Sequence, residues 1–500
     1  MTSKMFMGDM PELMEIILNN LNNEFNSLYS CALVSRHWCK MSIPILWQNP
    51  FSFPSVQRPL YISQYFSSLD ENDRLVLKEY GINVKFPNTL FNYAKLLKVF
   101  DLSSIECKVK NWLEFKLANS EPYSSLIYHI INLLFKLFIE SGASLQKLDL
   151  YFSDYEINPE IFYSLGRNEQ FFSRLQDLSL GLRSDFIIEN DTALLKILTK
   201  NATKISALNF YAFYPDYDPH SLHALICIIK SQEQLKRFSL VGSEFPTEFQ
   251  GIISALECQK NSLQEVIIES CECSTEFEVI KDCKNLEILR INDCNNEELL
   301  EASLNTLEIN SYSIYASSIV QILTKSGTLL QRLKLVSKDE QIKEELLLLE
   351  TLKSSCPNIT YLNISDVGLS IQFLELIGNL QKLQFLTLWY ICEIEDEPET
   401  LVTQFAKLLP LTLQYLDLRY SCLSSYIHIL LINCHAPLKY FLIDRFDDEE
   451  KVKVLIEFCI RKRSLSYMGV EEYLNLDDNI KKEVEEYVTL ISCERIVVNC

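Results

Sequence analysis

The sequence is short of the residues that make turns and of long apolar runs. Its 500 residues include only 11 glycines and 15 prolines, too few for a turn-rich β-sandwich or β-barrel of this length. No stretch of about 18 uncharged apolar residues occurs, and the first residues, MTSKMFMGDMPEL, contain no apolar signal region. We therefore expect a protein without membrane contact, located in the cytoplasm, the nucleus or both.

Positive charge is also in deficit. Lys and Arg number 46 against 67 Asp and Glu, which gives a formal net charge of −21, and the acidic residues are spread along the chain. A protein that tracks phosphates needs a stripe of Lys and Arg on its surface. This composition therefore argues against nucleic acid as the main ligand.

Catalytic and metal-binding motifs are missing as well. The 16 cysteines include no CxxC pair, so we expect reduced thiols that pack as small apolar side chains. Cys271 and Cys273 form a lone CxC, and no glutamate lies between His220 and His223, so neither pair is enough to predict a metal site. No phosphate-binding glycine loop or nucleophile elbow occurs. We expect no enzyme activity, no cofactor and no metal, and a metal hydrolase is the weakest alternative.

The sequence does contain a short repeat, in which an aliphatic residue is followed at +3 and +5 by two more apolar residues. Thirteen copies follow one another at spacings of 18 to 30 residues, close to the period of a leucine-rich repeat. Their first positions are Leu145, Leu175, Ile205, Leu235, Leu263, Leu286, Leu304, Leu330, Ile359, Leu383, Leu413, Leu438 and Leu465. A divergent copy, LLKVFDL at 96–102, precedes them, and the segment 125–141 is expected to supply its helix.

Each copy predicts a short β-strand followed by a helix. Residues at +3 and +5 point to one face of the strand, and residues at +2, +4 and +6 point to the other. Segments of helical periodicity, such as 192–200 and 371–380, lie between the copies. One strand and one helix cannot bury their apolar faces alone, so neighbouring units must stack. We expect an α/β fold that forms a curved solenoid, with parallel strands on its concave face and helices on its convex face.

The first fifty residues follow a different pattern. The segment 9–22 predicts a helix with Asp9 as its N-cap and Pro11 in its first turn, and 27–42 predicts a second helical segment. The apolar stripe of the first helix consists of Leu13, Ile16, Ile17 and Leu21. One side of the second consists of Leu28, Cys31, Ala32, Val34, Ser35 and Trp38. So small a core is marginal alone, and it needs a partner, the following domain or both.

These residues resemble an F-box, the motif that docks onto a Skp-type adaptor in cullin-RING ubiquitin ligases. The family pattern combines Leu-Pro-x-Glu, a helix of spaced Ile and Leu, and Val-Ser/Cys-Arg/Lys-x-Trp. It is met here by Met10-Pro11-Glu12-Leu13-Met14 and by Val34-Ser35-Arg36-His37-Trp38. Met10 replaces the usual Leu, a volume-conserving change that should dock at little cost. The stretch PILWQNPF at 44–51 is similar to the one that follows the box in many fungal members.

The resemblance implies a non-catalytic substrate receptor of an SCF-type ubiquitin ligase. The box would bind a Skp-type adaptor, and through it a cullin, while the repeats would select the protein to be ubiquitinated. The adaptor contacts carried over by position are Met10, Pro11, Leu13, Ile17, Leu21, Val34, Ser35 and Trp38. Two alternatives stay open: the stripe and Trp38 are simply core, or the chain is a leucine-rich-repeat scaffold or inhibitor whose N-terminal helices cap the solenoid.

The sequence thus divides into three regions. Residues 1–50 form the F-box-like helical module, residues 51–95 a linker or transition, and residues 96–500 the leucine-rich-repeat solenoid. The closing stretch ERIVVNC leaves open whether a last strand caps the repeats.

A partner protein would meet the side chains at +2, +4 and +6, which face away from the repeat core. In the last five copies the +2 residue is always aromatic, whereas earlier copies carry charged residues such as Arg290 and Glu308 on this face. The predicted substrate-binding residues are Tyr361, Phe385, Trp389, Tyr415, Asp417, Arg419, Tyr440 and Tyr467. Aromatic residues and Arg dominate the energy of protein interfaces, so we expect an unidentified protein substrate at this surface. The alternative is that the aromatic pairs only stabilise the sheet.

Overall fold

The computed structural model of the chain describes most of the 500 residues. The described ranges are 11–22, 24–53, 59–69, 71–82, 89–117, 124–151, 157–181, 188–213, 219–242, 251–272, 275–294, 303–338, 341–391, 397–444, 449–470 and 478–496. The chain divides into two compact units, Met1–Ser243 and Glu244–Cys500. Both units repeat a strand-turn-helix pattern.

The described part of the first unit opens with helices and continues with strands that alternate with helices. Its helices are α1 (Pro11–Asn19), α2 (Phe25–Val34), α3 (Arg36–Leu46), α4 (Ile62–Tyr65), α5 (Glu71–Glu79), α6 (Leu102–Lys116), α7 (Ser124–Glu140), α8 (Pro159–Arg167), α9 (Ile188–Asn201) and α10 (Pro219–Lys230). Its strands are β1 (Val99–Asp101), β2 (Lys147–Tyr151), β3 (Asp177–Gly181), β4 (Ala207–Phe213) and β5 (Arg237–Gly242). Neighbouring strands pair in parallel and in chain order.

The second unit continues the same alternation. Its strands are β6 (Glu265–Glu269), β7 (Ile288–Asn292), β8 (Thr306–Ser311), β9 (Arg332–Ser337), β10 (Tyr361–Ser365), β11 (Phe385–Trp389), β12 (Tyr415–Asp417), β13 (Tyr440–Ile443), β14 (Tyr467–Val470) and β15 (Thr489–Ser492). Its helices are α11 (Ile252–Ala255), α12 (Ala316–Ser326), α13 (Glu345–Ser355), α14 (Ile371–Asn379), α15 (Pro398–Leu408), α16 (Ile427–Asn433), α17 (Glu449–Lys462) and α18 (Asp478–Glu485). Here too each strand pairs in parallel with the next along the chain.

The strands lie where the repeat predicts them. Each of the thirteen copies contains one strand, which begins at the +2 position, as at Phe385 in β11. The side chains at +3 and +5 are buried, as Leu386 and Leu388 show in the same strand. Because a parallel strand with helices on one side must bury alternate residues, this pattern forms a continuous apolar layer in each unit. The predicted α/β class and the leucine-rich repeats are confirmed.

Many of the helices also lie where the periodicity predicts them. Helix α9 covers 192–200, and α14 covers nearly all of 371–380. Helix α14 begins where the Ser370 hydroxyl accepts a hydrogen bond from the Phe373 amide at 3.2 Å, a typical N-cap. Among the described residues between β6 and β7, a 3₁₀ helix, Thr275–Asp282, takes the place of the expected α-helix.

The second N-terminal helical segment is two helices rather than one. Helix α2 ends at Val34, and α3 begins at Arg36. Between them Ser35 is extended, with φ −162° and ψ 168°, and its Oγ accepts a hydrogen bond from the Trp38 amide at 3.2 Å. A serine competes with the helical backbone for hydrogen bonds and favours the N-cap position, which explains why the apolar periodicity of 27–42 did not predict the break.

The region predicted as a transition, 51–95, packs against the repeat helices of the first unit. The Tyr65 and Phe138 rings meet edge to face, with centroids 5.0 Å apart. The buried Trp112 indole donates a hydrogen bond to Ser63 Oγ at 3.1 Å. The region that follows the small N-terminal module is therefore part of a larger core, which the module alone could not form.

Candidate protein-binding surfaces

The three N-terminal helices share one small core. Leu18 of α1, Leu28 of α2 and Leu46 of α3 are buried in the same cluster. Leu21 and Trp38 pack against it and remain partly exposed. Trp38 therefore closes the helical core from α3 while part of its surface stays accessible.

Most of the predicted apolar stripe of α1 points away from this core. Ile16 is 60% exposed, and Leu13 and Ile17 are exposed as well, whereas Met14 and Leu18 are buried. Residues three and four apart lie on one side of a helix, so the three exposed residues form one apolar face. Ile16 is therefore mostly outside the core, and Leu13 and Ile17, at 38% and 37% exposure, are covered by it only in part.

Helix α2 carries a second group of exposed apolar residues. Leu33 is 69% and Val34 is 64% exposed, and Tyr29, one turn earlier, is exposed too. Single exposed apolar residues are ordinary, but several on two helices that share one core are typical of an interaction site. The N-terminal apolar surface consists of Leu13, Ile16, Ile17, Tyr29, Leu33 and Val34.

The predicted adaptor contacts differ in their exposure. The exposed ones are Leu13, Ile17, Val34 and Ser35, and the partly buried ones are Leu21 and Trp38. Pro11 lies in the first turn of α1, but its side chain and all of Met10 lie outside the described residues. Asp9, the expected N-cap of α1, is also outside them. The described contacts include both an apolar face and a residue, Trp38, that anchors it to the core.

On the sheet of the second unit, the last five copies align their aromatic +2 residues. Strand pairing places Tyr361, Phe385, Tyr415, Tyr440 and Tyr467 side by side in that order. Successive ring centroids lie 6.3, 5.9, 6.3 and 5.3 Å apart, and the last two rings are nearly parallel. These five residues form the aromatic column, and they share with the +4 and +6 residues the outer face of this sheet, opposite the buried leucines.

Three of the predicted substrate-binding residues are buried rather than accessible to a partner. Tyr361 is only 6% and Tyr415 only 5% exposed, and Asp417 at +4 is 1% exposed. Each of these tyrosines is flanked by large side chains on both neighbouring strands, because parallel pairing in register stacks equivalent residues. Phe385, Trp389, Arg419 and Tyr440 are partly buried, and Tyr467 is exposed. The accessible part of the predicted site is therefore smaller than the sequence suggested.

Asp417 organises the polar part of the outer face. Its carboxylate accepts hydrogen bonds from the Arg419 guanidinium, with Nη2 2.9 Å from Oδ2, and from the Tyr415 hydroxyl at 3.3 Å. The guanidinium also lies 5.5 Å from the centroid of the Trp389 ring, a cation–π contact. The predicted residues at +2, +4 and +6 are thus joined in one network.

Burial and charge fix the protonation of this network. Burial alone would lower the pKa of the Arg419 guanidinium, but the hydrogen bonds and the negative charge of Asp417 raise it. Burial raises the pKa of the Tyr415 phenol, and the Asp417 charge raises it further. Both groups therefore keep their protons at physiological pH, and Tyr415 acts as a donor to Asp417.

Charged residues of the earlier copies pair with one another. Arg290 lies between Glu265 and Glu308, and its Nε is 2.8 Å from a Glu308 carboxylate oxygen. Burial would lower the pKa of Arg290, but the two glutamates raise it. The positive charge of Arg290 offsets only one of the two glutamates, so the three residues together offer a partner a single net negative charge.

One feature of the outer face has no counterpart in the sequence pattern. After β15 the chain forms a 3₁₀ helix, Cys493–Arg495, and Cys493 is buried in a cluster with Tyr415 and Leu442. Ile496 packs against the same cluster. The segment Cys493–Ile496, called here the 493–496 turn, therefore covers part of the aromatic column. One further strand, β15, follows the last copy. The end of ERIVVNC, residues 497–500, lies outside the described residues.

The weak metal candidates do not form a site in the part of the chain that the structure describes. His220 and His223 are exposed near the start of α10, and His223 Nε2 lies 3.5 Å from Cys227 Sγ. Cys271 is buried, and Cys273 lies outside the described residues. Among the described residues no group of three or more metal-ligating side chains occurs. No described helix is long and apolar enough to cross a membrane.

The parallel strands, their buried +3 and +5 residues and the helices between them define a leucine-rich-repeat fold. No protein-family model and no curated protein matches the chain. Among solved structures, the TLR13–ssRNA13 complex matches with a TM-score of 0.40 and 16% identity, covering 69% of this chain and 47% of that chain. The present chain thus spans about half the length of the TLR13 chain.

Two further solved structures are similar at the same distant level. A chain of the yeast Rad7–Elc1 complex matches with a TM-score of 0.38 and 14% identity, covering 86% of this chain and 99% of that one. An internalin from Listeria monocytogenes matches with a TM-score of 0.33 and 14% identity, covering 67% and 77%. At these identities the likeness concerns the fold alone.

Proposed function

We propose that this protein is a non-catalytic substrate receptor of an SCF-type ubiquitin ligase. In this proposal the N-terminal apolar surface binds a Skp-type adaptor, and through it a cullin, and the outer face of the repeats binds the protein to be ubiquitinated. The observation that supports it most is the exposure of Leu13, Ile17 and Val34, which lie within or beside the two segments that resemble an F-box.

Exposed apolar side chains favour association because burying them removes apolar area from water. Full burial of a side chain such as Leu, Ile or Val contributes about 1.5 to 3 kcal/mol. Several such residues are needed, because association must also offset the loss of translational and rotational freedom and the ordering of side chains. The N-terminal apolar surface has six apolar side chains that a partner could bury further.

The break at Ser35 gives the Val-Ser-Arg-x-Trp segment a physical role. The Ser35 cap ends α2 and starts α3, so that Val34 faces solvent while Trp38, three residues later, packs on the core. The segment from Val34 to Trp38 thus connects the surface proposed for the adaptor with the core that holds this surface in place. Preorganisation of this kind lowers the entropic cost of binding.

The scaffold alternative also has support in the structure. Leu21 and Trp38 pack inward on the cluster around Leu18, and the 51–95 region packs on the repeat helices, as expected of an N-terminal cap. A cap, however, gains nothing from exposed leucine, isoleucine and valine side chains. The exposed surface therefore favours the adaptor-binding proposal.

The test uses the full-length protein and a purified Skp-type adaptor. We expect the variant Leu13→Ala, Ile17→Ala, Val34→Ala to lose at least about tenfold in adaptor affinity, since truncating interface anchors commonly costs more than 1 kcal/mol each. Val34 is 64% exposed and Leu13 and Ile17 are 38% and 37% exposed, so thermal stability should fall less than it would for the fully buried Leu18. A pull-down with the purified adaptor and a melting curve measure the two quantities.

The matched control is Leu411→Ala, which removes another exposed apolar side chain from the second unit. This control should retain the adaptor as the unmodified protein does. Equal retention by the triple variant would contradict the proposal and favour the scaffold.

A further inference from the structure

We propose that the 493–496 turn is a resident ligand of the outer face, and that a partner protein binds there by displacing it with a segment of similar chemistry. That segment would be an apolar stretch of polypeptide with a small side chain and, three positions later, a branched aliphatic one. The inference rests on the proposed role of the outer face in binding substrate.

The conformation of the turn presents two side chains to the sheet. The Ile496 amide donates a hydrogen bond to the Cys493 carbonyl at 3.1 Å. In a 3₁₀ helix the side chains at i and i+3 lie above one another, so Cys493 and Ile496 share one side. Arg495 is exposed on the same turn. The turn therefore has an apolar side against the sheet and a polar side in solvent.

The two side chains pack on a cluster of residues on the outer face of the sheet. Cys493 contacts Tyr415 and Leu442, with Phe385 and Tyr440 at the edge of the cluster. These residues belong to β11, β12 and β13, in the middle of the aromatic column. Because three strands contribute to the cluster, a displacing segment must fit its shape as a whole.

Gly469 of β14 makes room for the turn. A Cβ atom at this position would lie 3.0 Å from Cys493 Sγ and 3.2 Å from Ile496 Cδ1, and 2.9 Å from Leu442 Cγ. These separations are shorter than van der Waals contacts, so the turn approaches the strand where a side chain is missing. Both anchoring side chains of the turn meet at this glycine.

The chemistry of the turn itself defines the displacing segment. The two side chains that pack on the sheet are a thiol and a branched aliphatic chain, three positions apart on one stretch of polypeptide. A segment of a partner protein with the same spacing presents the same apolar side to the sheet.

The test adds the isolated segment in trans to the full-length protein. The probe is a fluorescently labelled synthetic peptide, LISCERIVVN, which copies residues 490–499. In the variant Ile496→Asp the resident turn is expected to leave the sheet, because a carboxylate cannot remain against an apolar cluster without a partner. We expect the peptide to bind this variant at least about tenfold more tightly than the unmodified protein, in which the resident turn competes at high effective concentration.

Two controls define the outcome. Arg495→Ala changes the exposed residue of the same turn and should bind the peptide as weakly as the unmodified protein does. A peptide with Asp at the Ile496 position should not bind the Ile496→Asp variant. Equal affinity of the unmodified protein and the variant for the peptide, or binding to neither, would overturn the inference.

Thiol labelling checks the displacement without a ligand. Alkylation of Cys493, mapped by mass spectrometry, should be at least about tenfold faster in Ile496→Asp and in the milder Ile496→Ala than in Arg495→Ala, because a thiol reacts only when accessible. Unchanged alkylation in both variants would also overturn the inference. Adaptor binding should be unaffected by these variants, so its failure in the unmodified protein would contradict the proposed function and leave this result standing.

Discussion

At the scale of single residues, Asp417 is the centre of the outer face. It is almost fully buried, and it accepts hydrogen bonds from Arg419 and Tyr415. A buried ion pair contributes little net stability relative to apolar residues, but it is costly to break, because the remaining charge is left without compensation. The network therefore fixes the position of Arg419 against the Trp389 ring. Both residues are at +6 in their copies and lie on the same face as the aromatic column.

The residue-scale prediction concerns this pair. Asp417→Ala should lower the free energy of unfolding by about 3 kcal/mol, since it leaves the Arg419 guanidinium largely buried and unpaired. Glu375→Ala, which breaks the exposed Lys353–Glu375 pair, should cost less than about 1 kcal/mol. Urea denaturation measures both values. Equal losses in the two variants would show that Asp417 is not the centre of a buried network.

At the scale of elements, the strands could be predicted from the sequence because their signal is local. Alternation places the +3 and +5 leucines inward and starts each strand at +2, as Leu386 and Leu388 illustrate. The orientation of α1 could not be predicted in this way. Leu13 and Ile17 have the i, i+4 spacing of a buried stripe. Met14 and Leu18 have the same spacing, and it is this second pair that is fully buried. Periodicity identifies a helix face without deciding which of two overlapping faces is buried.

Long-range contacts were the part of the candidate site that the sequence could not reveal. Nothing in the local pattern of Cys493 or Ile496 indicates that they pack on Tyr415, because that contact joins positions far apart in the chain. The exposure of Tyr415 was overestimated for the same reason. The alternation along a strand predicts which side chains point away from the core. It does not predict which residues from elsewhere in the chain pack over them.

The element-scale prediction concerns the packing of neighbouring repeat helices. Gly327, directly after α12, has no room for a side chain, because a Cβ atom would overlap the backbone carbonyl oxygen of Ser355 at the end of α13. Gly327→Ala should therefore push the two helix ends apart and lower the free energy of unfolding by about 2 kcal/mol.

Gly166 is the matched control, because a Cβ atom there meets nothing within 4 Å. Gly166→Ala lies inside α8 and should be neutral or stabilising by up to about 1 kcal/mol, as expected when alanine replaces glycine in a helix. Thermal and urea denaturation measure both variants. A stable Gly327→Ala protein would contradict the close contact between α12 and α13.

At the scale of the whole molecule, the two proposed binding functions belong to different compact units. The N-terminal apolar surface lies in the first unit, and the aromatic column lies in the second. The two surfaces have no residue in common, so we expect substitutions in one surface to leave binding at the other unchanged.

The most direct measurement of the central claim is a calorimetric titration of the full-length protein with a purified Skp-type adaptor at several temperatures. The account predicts saturable one-to-one binding with a negative change in heat capacity, the signature of buried apolar surface. It also predicts that the Leu13→Ala, Ile17→Ala, Val34→Ala variant weakens this binding. A titration without binding, or binding by the variant with the same affinity and heat-capacity change, would contradict it.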